Sequence, residues 1–144
     1  MIDKNKEMEK ESFQDQGYKR LKIYQKAHEL GVKIHKMTLN LPKFEMFEEG
    51  SQKRRSSKSV SSNIVEGYAL RTYKAEYIHY LFRAYGSSVE TVEHLEYLFD
   101  TGSLRDETVF EQFISDYGEL NSMLFRFIGS VEKVHKTDIL KAAH

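Results

Sequence analysis

The chain has 144 residues, 40% of them hydrophobic, one proline, and 22 basic against 22 acidic side chains. This suits a single domain with a real core and excludes a disordered chain. No cysteine is present, which excludes disulfides and thiolate metal sites, and no run of about 18 apolar residues occurs, which excludes a membrane-spanning helix.

The amino terminus, MIDKNKEMEKE, is charged where a signal peptide needs an apolar run, so a soluble cytoplasmic protein is expected. Net charge is zero but unevenly spread. Residues 21–83 carry 12 Lys and Arg against 6 Asp and Glu, and residues 84–144 carry 5 against 11. Such halves can pair within a subunit, pair between subunits, or present the basic half to an anion.

Residues 1–19 lack an apolar period and read as a frayed tail. Leu21, Tyr24, Ala27, Leu30, Ile34, Met37 and Leu41 recur every three or four residues and predict a first helix over about 21–41. Pro42 ends it, since its ring pushes the preceding residue out of the α region. KFEMFEEG, 43–50, reads as a loop whose aromatic residues dock on the bundle.

A second helix is predicted over about 51–69, with Val60 and Ile64 as a narrow apolar edge and Gly67 near its end, suited to a left-handed cap. Thr72 is the expected cap of a third helix, about 73–101, whose apolar face is Ile78, Leu81, Tyr85, Val92, Leu95 and Phe99. Asp100-Thr-Gly102 closes it. Ser103-Leu-Arg-Asp106 resembles a capping box before a fourth helix of about 104–136, marked by Phe110, Phe113, Tyr117, Leu120, Leu124, Phe127, Val131 and Val134. Residues 139–144 form a second tail. Four helices with short loops, and no competing β-alternation, predict an all-α, antiparallel up-down four-helix bundle over 20–138.

Bundles often house metals, and two Glu-x-x-His pairs are present, Glu76/His79 and Glu132/His135. With Glu66 and Glu29 they are the ligand types of a di-iron site. Helical phase turns Glu76 and His79 away from the Ile78/Leu81/Tyr85 face, which argues against such a site. There is no Gly-rich phosphate loop, nucleophile elbow or His-Glu-x-x-His pattern. The reading is non-enzymatic, with no metal and no cofactor.

The informative stretch is QKRRSSKSVSSNIVEG, residues 52–67. Gln52, Arg55, Ser59, Asn63 and Glu66 follow at steps of 3, 4, 4 and 3, the spacing of a buried stripe. Three explanations compete. The stripe is solvated; or it is a nucleic-acid surface on which Lys53, Arg54, Arg55 and Lys58 meet phosphates; or it is a polar network buried in the bundle or between subunits. Burial fits regularly spaced amides and serines best, with Glu66 or Glu90 as the acidic partner of Arg55. On the third helix, Glu76, Arg83, Gly86, Ser87, Glu90 and His94 lie opposite the apolar face. A mid-helix glycine costs about 1 kcal/mol relative to alanine, so Gly86 suggests close approach by another backbone.

These residues carry a resemblance. "IYQKAHEL" (23–30), Thr38, Pro42, Glu45, Gln52 with Arg54 and Arg55, Ser59 with Asn63, Ile64, Glu66 and Gly67, Arg71, and Ala84 with Gly86, Ser87 and Glu90 stand in an order and spacing similar to a four-helix-bundle family. That family is named for proteins encoded in intervening sequences of 23S ribosomal RNA genes. The resemblance runs from about Leu21 to Leu98. It implies a left-handed bundle assembling into a ring-shaped homopentamer, and a related branch is the nucleic-acid-binding accessory protein of diversity-generating retroelements. The chain departs from the family at Tyr24, where tryptophan is usual, and at His35, where an aromatic is usual. Glu49, Lys53, Ser57 and Lys58 stand at positions that are usually apolar or alanine.

The resulting expectation is an RNA-associated homo-oligomer with Lys43, Lys53, Arg54 and Lys58 as phosphate contacts. Gln52, Arg55, Ser59, Asn63, Glu66, Arg71, Ser87 and Glu90 form its buried or interface polar network, and Gly67 and Gly86 are its packing or cap glycines. The alternative is a protein-interaction scaffold or accessory subunit, for example of a reverse transcriptase, with no nucleic-acid role of its own.

Overall fold

The structure, a computed structural model, describes residues 16–142, with the side chains of 44–50 and 134–142 left aside. A short 3-10 turn, Gly17–Arg20, precedes four helices: α1 Lys22–Thr38, α2 Lys43–Ala69, α3 Lys74–Asp100 and α4 Glu107–Ala142. No strand occurs among the described residues, so the protein is an all-α four-helix bundle. Residues 1–15 of the expected tail, and the docking expected of the aromatic residues of 44–50, lie outside what is described.

Each helix turns one stripe inward. The core holds Ile23, Ala27, Leu30 and Ile34 of α1, Val60 and Ile64 of α2, Tyr77, Leu81, Ala84, Leu95 and Leu98 of α3, and Phe113, Tyr117, Leu120, Leu124, Ile128 and Val131 of α4. On α3 the expected stripe is rotated by about one residue. Tyr77, Ala84, Ser88, Thr91 and Leu98 join Leu81 and Leu95 inside, whereas Ile78, Tyr85 and Val92 pack at the margin. The reason is that α3 packs on two neighbours, and its Thr91 goes inside to meet Ser56 of a polar helix, while Ser88 Oγ is buried without a hydrogen-bond partner.

The ends also differ in detail from expectation. The second helix starts at Lys43, directly after Pro42, so 43–50 is helical and not a loop. Proline at the cap fits, because the first helical N–H groups lack partners anyway. Neither Thr72 nor Ser103 caps a helix. The cap of α3 is Tyr73, with no side-chain bond, and α4 is capped by Asp106, whose Oδ1 accepts from the Val109 N–H at 3.2 Å. Gly102 takes φ +80°, a left-handed conformation that lets the chain reverse so that Leu104 N–H donates to the Leu98 carbonyl at 3.0 Å. Gly67 is not left-handed. It is a packing glycine, since a Cβ there would stand 3.1 Å from Tyr80 Cβ and 3.4 Å from the Tyr77 carbonyl oxygen.

Two predictions follow from this core. Leu95→Ala, at a fully buried site, should cost about 2–5 kcal/mol in urea unfolding, whereas exposed Glu93→Ala should change stability by less than about 0.5 kcal/mol. Burial pushes the Tyr77 phenol up to about 12, and it also raises the Tyr117 phenol. Both phenols are neutral in folded and unfolded chains below pH ~10. Above that the unfolded state ionises first, so stability should fall as pH rises from about 10 toward 12. Urea midpoints measured across that window, with Tyr77→Phe losing part of the slope, check it.

Candidate nucleic-acid interface

The site is governed by α2, whose buried face is nearly devoid of large apolar groups among the described side chains. Lys53, Ser56, Ser57, Val60, Asn63, Ile64 and Gly67 turn inward. Most of its serines satisfy themselves: Ser56, Ser57, Ser61 and Ser62 donate to the carbonyls three residues back, at 3.1–3.3 Å. Small side chains allow close packing. On the α1 side, a Cβ added to Gly31 would lie 3.7 Å from the Ser57 carbonyl oxygen.

On the α3 side a hydroxyl ladder forms. Ser87 Oγ donates to Ser59 Oγ at 2.9 Å, Thr91 Oγ1 meets Ser56 Oγ at 3.1 Å and the Ser87 carbonyl at 2.8 Å, and Asn63 Nδ2 donates to both the carbonyl (2.8 Å) and the hydroxyl (3.0 Å) of Ser59.

The expected polar stripe therefore splits. Asn63 is buried, and Ser59 and Ser87 are half-buried in the ladder. Gln52, Arg55, Glu66 and Glu90 are exposed in the single chain, which corrects the expectation of burial within the bundle. The buried stripe of α2 runs one residue later than the polar stripe read from the sequence, so these groups fall at the seam. Gln52, Arg55 and Glu90 rim a cleft of about 400 Å³ above Ser56, Ser59 and Ser87. Glu90 faces His94 at 3.3 Å, and Arg55 has no ion pair among the described residues. Arg71 stands apart, donating to the Tyr68 carbonyl at 3.0 Å with its guanidinium 4.0 Å over the Tyr68 ring. A Cβ at Gly86 would meet nothing within 4 Å, so no backbone among the described residues approaches it.

The same shift of phase corrects one phosphate contact. Lys53 is 1% exposed and belongs to the core side of α2, so it is withdrawn from the candidate surface. Lys43 and Lys58 are exposed and Arg54 is half-buried, donating to Thr38 Oγ1 at 3.2 Å across the α1–α2 seam. Lys43 and Arg54 are eleven residues apart, close to three turns, so all three lie on one side of α2.

Opposite them on α1 stand His28, His35 and Lys36, residues not picked out from the sequence. With Gly31, Val32, Lys58 and Ser61 they line a groove of about 340 Å³ that contains no carboxylate. His35 Nδ1 is buried there without a hydrogen-bond partner. Lys26, by contrast, bridges to Glu119 (3.1 Å) and Asp116 (4.0 Å) of α4, and Lys33 pairs with Glu29 at 3.1 Å. Glu76 and His79 are both exposed, as their phase requires, and the His135 side chain lies outside the described residues. No group of three or more potential metal ligands occurs among the described residues, and no helix there is long and apolar enough to cross a membrane.

A four-helix bundle with a serine-lined second helix and a basic α1–α2 groove is thus the class of protein at hand. Residues 19–126 match the family described as 23S rRNA-intervening sequence protein, and the chain belongs to that family. Among solved structures it is similar to a protein of unknown function from the S23 ribosomal protein family of Bacteroides thetaiotaomicron VPI-5482. That protein is 27% identical, with a TM-score of 0.66 over 74% of this chain and 95% of the other. No curated protein matches.

The ladder gives a test of its own. Ser59→Ala removes the group that both Ser87 and Asn63 address, and should cost about 1–3 kcal/mol, with a coupling to Ser87→Ala of at least about 0.5 kcal/mol in a double-mutant cycle.

Proposed function

We propose that the protein is a non-enzymatic, cytoplasmic RNA-associated protein that works as a homo-oligomer of antiparallel up-down bundles. The observation that carries this reading is the cationic α1–α2 face: Lys43, Arg54 and Lys58 on α2, with Lys36 across a groove that no carboxylate lines. Neither Lys36 nor Lys58 has an ion pair among the described residues, whereas Lys26 and Lys33 do. Unneutralised cations in a row suit a phosphate backbone, whose binding releases condensed counterions.

Self-assembly is supported by a different face. Phe82, Val89, Tyr97 and Phe125 of α3 and α4 are exposed, next to Gly86, Gly118 and Gly129, where an added Cβ would meet nothing within 4 Å. Apolar side chains with open glycines between them suit a second bundle packing closely. The pentamer is the stoichiometry that family resemblance implies, and Gln52, Arg55, Glu66 and Glu90 are then polar groups available to a subunit interface. The same apolar face favours the second reading, a scaffold or accessory subunit that binds another protein and no RNA.

One pair of variants separates the readings. Lys36→Glu/Lys58→Glu should abolish binding of structured RNA at low salt and leave the subunit number seen by native mass spectrometry unchanged. Phe82→Glu/Phe125→Glu should dissociate the oligomer. Wild-type affinity should fall steeply between 50 and 200 mM salt, as expected when several phosphates are neutralised. Affinity that is absent, or flat with salt, favours the scaffold.

A further inference from the structure

The basic groove continues into an aromatic run, and this suggests which form of RNA it takes. On α1 and its C-terminal cap, Tyr24, His28, Val32, His35 and Leu39 follow at steps of 4, 4, 3 and 4 and so share one face. None of the five is buried, and Val32 and Leu39 are 41% and 55% exposed. The rings are already arranged against one another. Tyr18 meets Tyr24 edge-on at 4.9 Å between centroids, and Tyr24 stacks on His28 at 5.6 Å with 30° between planes. His28 in turn lines the groove that holds Lys36 and Lys58. From Tyr24 to Lys36 the strip is about 18 Å long, the length of about five stacked nucleotides at ~3.4 Å each.

An aromatic platform in series with a row of cations is the arrangement that holds single strands, because every unpaired base offers a ring face and every nucleotide a phosphate. A duplex keeps its base faces stacked inside and presents phosphates, 2′-hydroxyls and base edges, so it has no ring face to offer the aromatic half of the strip. We infer that the α1–α2 groove binds a single-stranded RNA segment, with unpaired bases stacking on Tyr24 and His28 and phosphates seated at Lys36 and Lys58. The exposed Val32 lies between these two sets and gives the sugar-base edge an apolar contact. This inference rests on the RNA-associated reading above and narrows it to unpaired RNA.

The test uses the full chain in its native assembly, with a fluorescent unpaired 12-nucleotide RNA and a duplex of the same sequence, both read by anisotropy at low salt. The single strand should bind at least about ten-fold tighter than the duplex. His28→Ala and Tyr24→Leu should each weaken the single strand about ten-fold while leaving the slope of affinity against salt unchanged, since a base contact is lost and no phosphate contact. Tyr24→Phe, which keeps the ring, should bind as wild type. Lys58→Glu should weaken binding and flatten the salt slope. His28 is exposed, so its alanine variant leaves the core intact and keeps the test independent of folding. If duplex and single strand bind alike, or if Lys58→Glu acts and both aromatic variants do not, stacking is overturned while RNA association stands. If neither RNA binds the wild-type protein, both fall.

Discussion

The bundle depends on how α2 is accommodated. A helix in a four-helix bundle normally contributes leucine-sized side chains to the common core, each worth about 1.5–3 kcal/mol when buried. Among the described side chains, the inward face of α2 supplies two such groups, Val60 and Ile64, among serines, an asparagine, a lysine and a glycine. Close approach takes the place of bulk. Serines that bond their own preceding turn bring no unsatisfied donor into the seam. Those facing α3 share hydroxyl bonds with Ser87 and Thr91, which is why α3 turns polar side chains inward over the same stretch. The apolar work is then carried by α3 and α4, whose core residues are the larger ones.

Four helices, their order and most core positions were legible because apolar residues recur at helical spacing along α1, α3 and α4. On α2 the same reasoning chose a stripe one residue early. Gln52, Arg55, Ser59 and Glu66 stand at regular spacing, yet the stripe that turns inward is Lys53, Ser56, Ser57, Val60, Gly67 and their neighbours. With two large apolar residues the phase of a helix is poorly determined, because about 100° of rotation separates adjacent stripes. One signal was available. The family likeness marks positions 53 and 57 as usually apolar or alanine, and Lys53 and Ser57 are 1% and 0% exposed. A residue's chemistry alone pointed outward where its position pointed inward.

The groove was legible on one wall only. Lys58 and Arg54 stand out as part of a basic run, but His28, His35 and Lys36 are scattered along α1 and gain meaning only once α1 lies beside α2. Lys26 and Lys33 look the same in sequence as Lys36. The structure separates them by partner, since Lys26 reaches the acidic fourth helix and Lys33 a glutamate on its own helix. The opposed charges of the two halves are therefore partly spent within the chain, along the α1–α4 seam. On the α1–α2 side, Lys36 and Lys58 have no ion pair among the described residues.

That division explains how a chain of zero net charge can suit a polyanion. Attraction at contact is set by charges within about a Debye length, roughly 8–10 Å in physiological salt, and the chain's total charge matters little beyond it. No α4 carboxylate lines the groove: Asp116, which with Glu119 engages Lys26, lines a separate cavity with Lys33 and Lys36, and part of its charge is neutralised by Lys26. A phosphate at Lys58 would instead meet Lys36, His28 and His35 across a wall kept narrow by Gly31. The same close packing that lets α2 do without leucines thus brings two helices' cations to the edges of one trough. Enlarging Ser57 or Gly31 should separate those edges as well as loosen the fold, so packing and recognition are coupled through a single seam.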